Sequence, residues 1–162
     1  MDKQQLIWEM IKYEKGSPKR VQHFLKVHAF AKLIGQREGL APELQEILEV
    51  AAIVHDIGIK PSLEKYHSSA GTYQEQEGPA VAEALLRRLG AEDALVERVK
   101  FLVGHHHTYS HVEGLDYRIL IEADFLVNIY EEDMERAAIE SVRRKCFETE
   151  SGKALLEEMF LG

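Results

Sequence analysis

The residues of this chain best suited to chemistry are His23, the pair His55–Asp56, the run His105–His106–His107 and Asp124. Imidazole nitrogens and carboxylate oxygens exchange protons, and together they hold divalent transition ions. Spacing says whether they can meet. In "KRVQHFLKVHAFAKLIG", His23, Val27, Phe30 and Ile34 stand 0, 4, 7 and 11 residues along, one stripe of an amphipathic helix. Leu44, Leu48, Ala51 and His55 repeat those offsets with the histidine last, and so do Leu95, Val99, Leu102 and His106. Tyr117, Leu120 and Asp124 follow the same pattern, which Asn128 continues. Four helices would each aim one His or Asp inward, near an end of an apolar stripe.

A lone histidine on an apolar face is commonly a core residue bonded to a carbonyl. Asp124, in "YRILIEADFLVN", resists so simple a reading. An aspartate amid Ile, Leu and Phe costs free energy unless something compensates it. Several inward His and Asp side chains compensate one another best around a cation, and Zn, Mn, Fe, Co and Ni all suit this donor set. Helical bundles build metal sites in this way, from side chains on facing helices.

The elements that must position these residues are helical. Pro18, Pro42 and Pro79 each stand where a helix begins, and Gly39, Gly58, Gly90 and Gly104 lie near expected helix ends. The spacing predicts helices over about 2–14, 18–38, 42–56, 79–89, 92–106 and 115–131, with a weaker helical region over about 134–160. Residues 62–78 read as a long loop with one turn at most, a length more often functional than accidental. No strand run stands out. The expectation is an all-α bundle of about six or seven helices, built as one domain over 1–162.

Composition narrows the function classes. With 20 Lys and Arg against 28 Asp and Glu, the net charge of −8 opposes an extended nucleic-acid surface. The single cysteine, Cys146, excludes an internal disulfide framework and a cysteine-only metal site, and is expected in the core. No segment has the length of a signal-peptide core or a membrane span, so a soluble, cytoplasmic protein is expected.

The tandem His-Asp of "AAIVHDIGIK", with a histidine on an earlier helix and an aspartate in "IEADFL", resembles the HD-domain metal-dependent phosphohydrolase superfamily. The resemblance covers about residues 18–131, leaving 134–160 as a helical extension. It implies a compact HD-domain bundle and the metal ligands His23, His55, Asp56 and Asp124, with Asp56 bridging two ions or orienting the attacking water. Some relatives bind two ions and add histidines between the HD pair and the last aspartate. In "GHHHTY" the stripe favours His106, and an adjacent-His site would add His105. Where such relatives often begin "HGPxGA", this chain has "EGPAVA". Glu77 is then an oxygen ligand, a group orienting water, or simply the start of a helix at Pro79.

The implied cofactor is therefore one or two divalent transition ions, and the implied reaction is hydrolysis of a phosphate ester in a small phosphorylated molecule. Asp56, Lys60 and Glu77 are the candidate catalytic residues, and Arg20, Lys60, Lys65 and Tyr73 the candidate substrate-binding ones. His28, His107 and His111 are expected to be structural or solvent-exposed, and Trp8 and Tyr13 to pack against the bundle. The GYP motif of cyclic-dinucleotide phosphodiesterases is absent. Two other classes are alternatives: an HD-type di-iron oxygenase, which uses the same ligands, and a non-catalytic nucleotide-sensing module with a degenerate site, against which the intact ligand set argues. The chain is also a candidate homodimer.

Overall fold

A computed structural model describes residues 1–162 and contains helices without strands. In chain order they are α1 (Lys3–Tyr13), α2 (Pro18–Arg37), α3 (Pro42–Val54), α4 (Ile59–Tyr66), α5 (Gly71–Arg88), α6 (Asp93–Val103), α7 (Leu115–Glu131), α8 (Arg136–Cys146) and α9 (Glu150–Leu156). A π-helical turn, Glu157–Leu161, follows α9. Helices α2, α3 and α7 pack on one another, α6 also packs on α3, and α5 lies against α6 and α4. Their apolar faces merge into one cluster that includes Phe24, Val27, Leu48, Ile53, Leu102, Leu120 and Val127.

The nine α-helices exceed the six or seven expected, for two local reasons. The weak region after residue 134 divides at Phe147, an extended residue that ends α8, and Thr149 caps α9 by accepting from the Gly152 amide. Residues 62–78 are also not a loop. Helix α4 runs to Tyr66, α5 begins at Gly71, and Pro79 lies inside α5 rather than at its start. Proline disfavours helix for its predecessor through a clash with that residue's Cβ, and Gly78 has none.

Gly78 serves packing as well. A Cβ on Gly58 would lie 2.7 Å from the Gln74 carbonyl oxygen and 2.8 Å from the Gly78 nitrogen. The glycine after the His-Asp pair is therefore needed for backbone-to-backbone contact with α5. Its φ of −75° makes no demand for glycine, so the close approach of α5, rather than the backbone conformation, requires it. Trp8, expected to pack on the bundle, is 60% exposed, whereas Leu6 and Met10 on α1 are buried. Cys146 is buried, as expected.

Candidate metal centre

His55 is the C-cap of α3, where the last carbonyls of a helix lack backbone partners. Its Nδ1 donates to the Ala52 carbonyl at 2.7 Å, which leaves Nε2 facing inward. His106 lies three residues past the end of α6 and does the same, donating from Nδ1 to the Val103 carbonyl at 2.9 Å. The Tyr117 hydroxyl, at the start of α7, lies within hydrogen-bonding distance of the His105 and Thr108 carbonyls and so pins that turn. His23 lies inside α2, and its Nδ1 donates to Glu131 Oε1 at 2.6 Å.

These bonds converge four donors. His23 Nε2 is 3.1 Å from His55 Nε2, 3.0 Å from Asp56 Oδ2 and 3.2 Å from Asp124 Oδ1. His55 Nε2 is 3.3 Å from Asp56 Oδ2 and 3.4 Å from Asp124 Oδ1. All four residues are buried. Two imidazole nitrogens facing each other at such a distance need a proton or a metal ion between them. Asp124 Oδ1 is buried without a hydrogen-bond partner, although both imidazoles are near it. Donors about 2.1 Å from one metal ion are about 3.0 Å apart at octahedral angles and about 3.4 Å at tetrahedral ones. The donor spacings fit that range, so a divalent ion fits these residues.

The charges reinforce one another. Burial opposes protonation of His23, but the Asp124 and Asp56 carboxylates outweigh it and push its pKa up to about 11. Burial likewise acts against protonated His55, and Asp56 and Asp124 hold its pKa at about 9. Burial would raise the Asp56 and Asp124 pKa values, but the histidines hold both carboxyls well below the usual carboxylate range. Without metal, protonated His23 and His55 balance the two buried anions, and a divalent ion would take the place of those two protons.

Asp56 also joins a second group. Its Oδ1 is 3.0 Å from His106 Nε2 and 3.9 Å from His107 Nε2, and His107 Nε2 donates to Gln74 Oε1 at 3.0 Å. Burial, aided by His106, lowers the His107 pKa to about 4, which keeps its ring neutral. His107, expected to be structural or exposed, thus stands at the site. His105 does not: its Nδ1 donates to the Phe101 carbonyl and its ring stacks on Phe101. The consecutive run presents its faces about a turn rather than along a helix, so helical phasing alone cannot separate His105 from His107.

A cleft of about 500 Å³ opens on the cluster and is lined by Lys19, Arg20, Asp56, Gln74, His107 and Asn128 among others. Arg20 uses Nε to reach Glu14 at 2.7 Å, and its terminal nitrogens make no bond to protein. Lys60 lies apart, donating to the Tyr13 carbonyl with its ammonium over the Tyr13 ring. Glu77 is in neither donor group. It accepts from Lys65 at 2.5 Å and Tyr66 at 3.1 Å, and Tyr73 stacks on Tyr66, so Glu77, Lys65 and Tyr73 form a surface cluster on α4 and α5. His28 pairs with Glu49, and His111 is exposed. Sequence reasoning missed Lys19 and Glu131. Glu131 had a signal, since it continues the Asp124 stripe seven residues on.

The family model that matches is described as the HD domain, over residues 20–146. Among solved structures, the chain is similar to a predicted HD superfamily hydrolase from an uncultured Thermotogales bacterium. The match has a TM-score of 0.71 and 21% sequence identity, and covers 98% of this chain and 84% of that one. At that identity the likeness is one of fold. A search of the curated proteins returns no match.

Proposed function

This chain belongs to the HD-domain family, and on that premise we propose that it is a metal-dependent hydrolase of a phosphate ester, in a nucleotide or another small phosphorylated metabolite. One observation carries the reading: four buried donors converge beside an unpartnered Asp124 Oδ1, at the floor of a cleft bearing Lys19 and Arg20. His23, His55, Asp56 and Asp124 would hold the ion. A bound divalent ion lowers the pKa of coordinated water toward neutrality and polarises a phosphoryl oxygen. The chain's own residues do the rest. Arg20, braced by Glu14, offers its free guanidinium N–H groups to phosphate oxygens, and Lys19 adds a second positive charge at the cleft. Neutral His107, tied through Nε2 to Gln74, lines the cleft beside Asp56 without adding charge there. Lys60, Lys65 and Glu77 have no part in this reading, because their partners lie elsewhere.

The test is hydrolysis by metal-loaded protein across a panel of phosphomonoesters, phosphodiesters and nucleotides. Turnover that disappears in His55→Ala and Asp56→Ala together with bound metal supports the reading. No turnover anywhere in the panel, from protein that has taken up metal, would overturn it. Ligand binding without turnover would favour a nucleotide-sensing module instead. Two donor groups sharing Asp56 also suit an oxygen-activating di-iron centre. Oxygen consumption by iron-loaded protein with a polyol or phosphonate would distinguish that chemistry.

A further inference from the structure

The three inward histidines are fixed in two different ways. His55 and His106 follow helix ends, where spare carbonyls accept their Nδ1 protons. His23 is the sixth residue of α2, and the carbonyls one turn before it belong to the helix's own ladder. It must recruit a side chain, and that side chain is Glu131 on the last turn of α7. The other oxygen of Glu131, Oε2, accepts from Lys26 on α2 at 2.8 Å. Lys26 and His23 are three residues apart on one helix, so a single carboxylate bridges both to α7. Glu131 also lines the cleft, and its side chain is only 13% exposed.

We propose that Glu131 is the positioning carboxylate of the metal centre, holding His23 with Nε2 toward Asp56 and Asp124 and setting how strongly that nitrogen donates, with Lys26 as its counterweight. The inference rests on the metal-centre reading above. A carboxylate accepting from the far nitrogen of a metal-bound imidazole fixes the tautomer and raises the basicity of the ligating nitrogen. Lys26 draws on the same carboxylate and moderates that effect. Backbone carbonyls behind His55 and His106 cannot be altered by substitution. Of the three, His23 is therefore the ligand whose donor strength side chains tune.

The test is titration of metal-free protein with Co²⁺, following the visible ligand-field absorption, for the native chain, Glu131→Gln, Glu131→Ala and Lys26→Met. Glu131→Gln keeps an accepting oxygen and loses the charge; Glu131→Ala loses both. The expected order is weaker binding in Glu131→Gln and weaker still in Glu131→Ala, by about 10- to 100-fold, with an altered absorption band in each. Lys26→Met is expected to bind Co²⁺ more tightly than the native chain. Circular dichroism melts show whether each variant is folded, and a purely structural Glu131 would leave the cobalt band of folded protein unchanged. Both Glu131 variants binding within about twofold of the native chain with an unchanged band would overturn the inference. Weaker binding in Lys26→Met would overturn the counterweight. If the native chain takes up no Co²⁺, the metal-centre reading itself fails, an outcome distinct from either.

Discussion

At the scale of single residues, the centre depends on where each imidazole proton goes. The acceptors behind His23, His55 and His106 leave three Nε2 atoms for a cation, and protons compete with metal for them. His23 and His55 have pKa values raised to about 11 and about 9, with burial opposing and the aspartates prevailing. Metal uptake should therefore release protons, and affinity should rise with pH until it passes about 9 and 11. A proton-linked calorimetric titration in two buffers checks this; pH-independent affinity would contradict it. Without metal the sign reverses. A raised folded pKa contributes stability that is complete below the unfolded value near 6.5 and is lost as pH climbs through about 9 and 11. Chelated protein should melt at lower temperature as pH rises from 7 to 10, a trend that thermal melts follow directly. Asp124→Ala should weaken metal binding by more than the roughly 10- to 100-fold typical of outer residues. His23, His55 and Asp124 are legible in the sequence because each is a costly group near an end of an apolar stripe, and Asp56 through the resemblance carried by the tandem His-Asp. His107 is not, because it lies in a turn where helical phase carries no information.

At the scale of elements, the site depends on α5 lying against the His-Asp turn. Gly58→Ala would place its Cβ against the backbone of Gln74 and Gly78, atoms with little room to move. It should cost about 1–3 kcal/mol in urea denaturation, as overpacking does, and it should also weaken the second donor group by displacing Gln74. Gly35→Ala is the contrast: its new methyl would meet chiefly the Gln45 side-chain amide, which can swing away. Equal costs for the two would contradict this account. At the far side of α7, the Glu122 carboxylate accepts from the Glu148 and Thr149 amides and the Thr149 hydroxyl, fastening α9. Glu122→Ala should cost about 1–3 kcal/mol by leaving buried donors unpaired. Helices α2, α3, α6 and α7 are legible from apolar periodicity. Helix α4 and the first two turns of α5 are not, because their polar sequences show no stripe and Pro79 reads as a start signal until the Gly58–Gly78 contact is seen.

At the scale of the whole molecule, the bundle brings residues from positions 23 to 124 into one buried cluster, a juxtaposition that single helices cannot report. The order of the motifs carries that information, and the family match over residues 20–146 agrees with it. Long-range side-chain pairing is what sequence leaves out: Glu131 behind His23, Glu14 behind Arg20, and Lys65 holding Glu77. Because a metal would bind only the folded arrangement, ion at about 100 times its dissociation constant should stabilise the protein by about 2.7 kcal/mol. For a chain of this size that corresponds to a rise of roughly 5–11 °C in Tm. The central claim, that His23, His55, Asp56 and Asp124 hold a divalent ion, is tested most directly by diffraction from metal-loaded crystals across the absorption edge of the ion. The account predicts an anomalous peak about 2.0–2.2 Å from His23 Nε2, His55 Nε2 and one oxygen each of Asp56 and Asp124. A loaded crystal with its peak elsewhere, or with none, would contradict it.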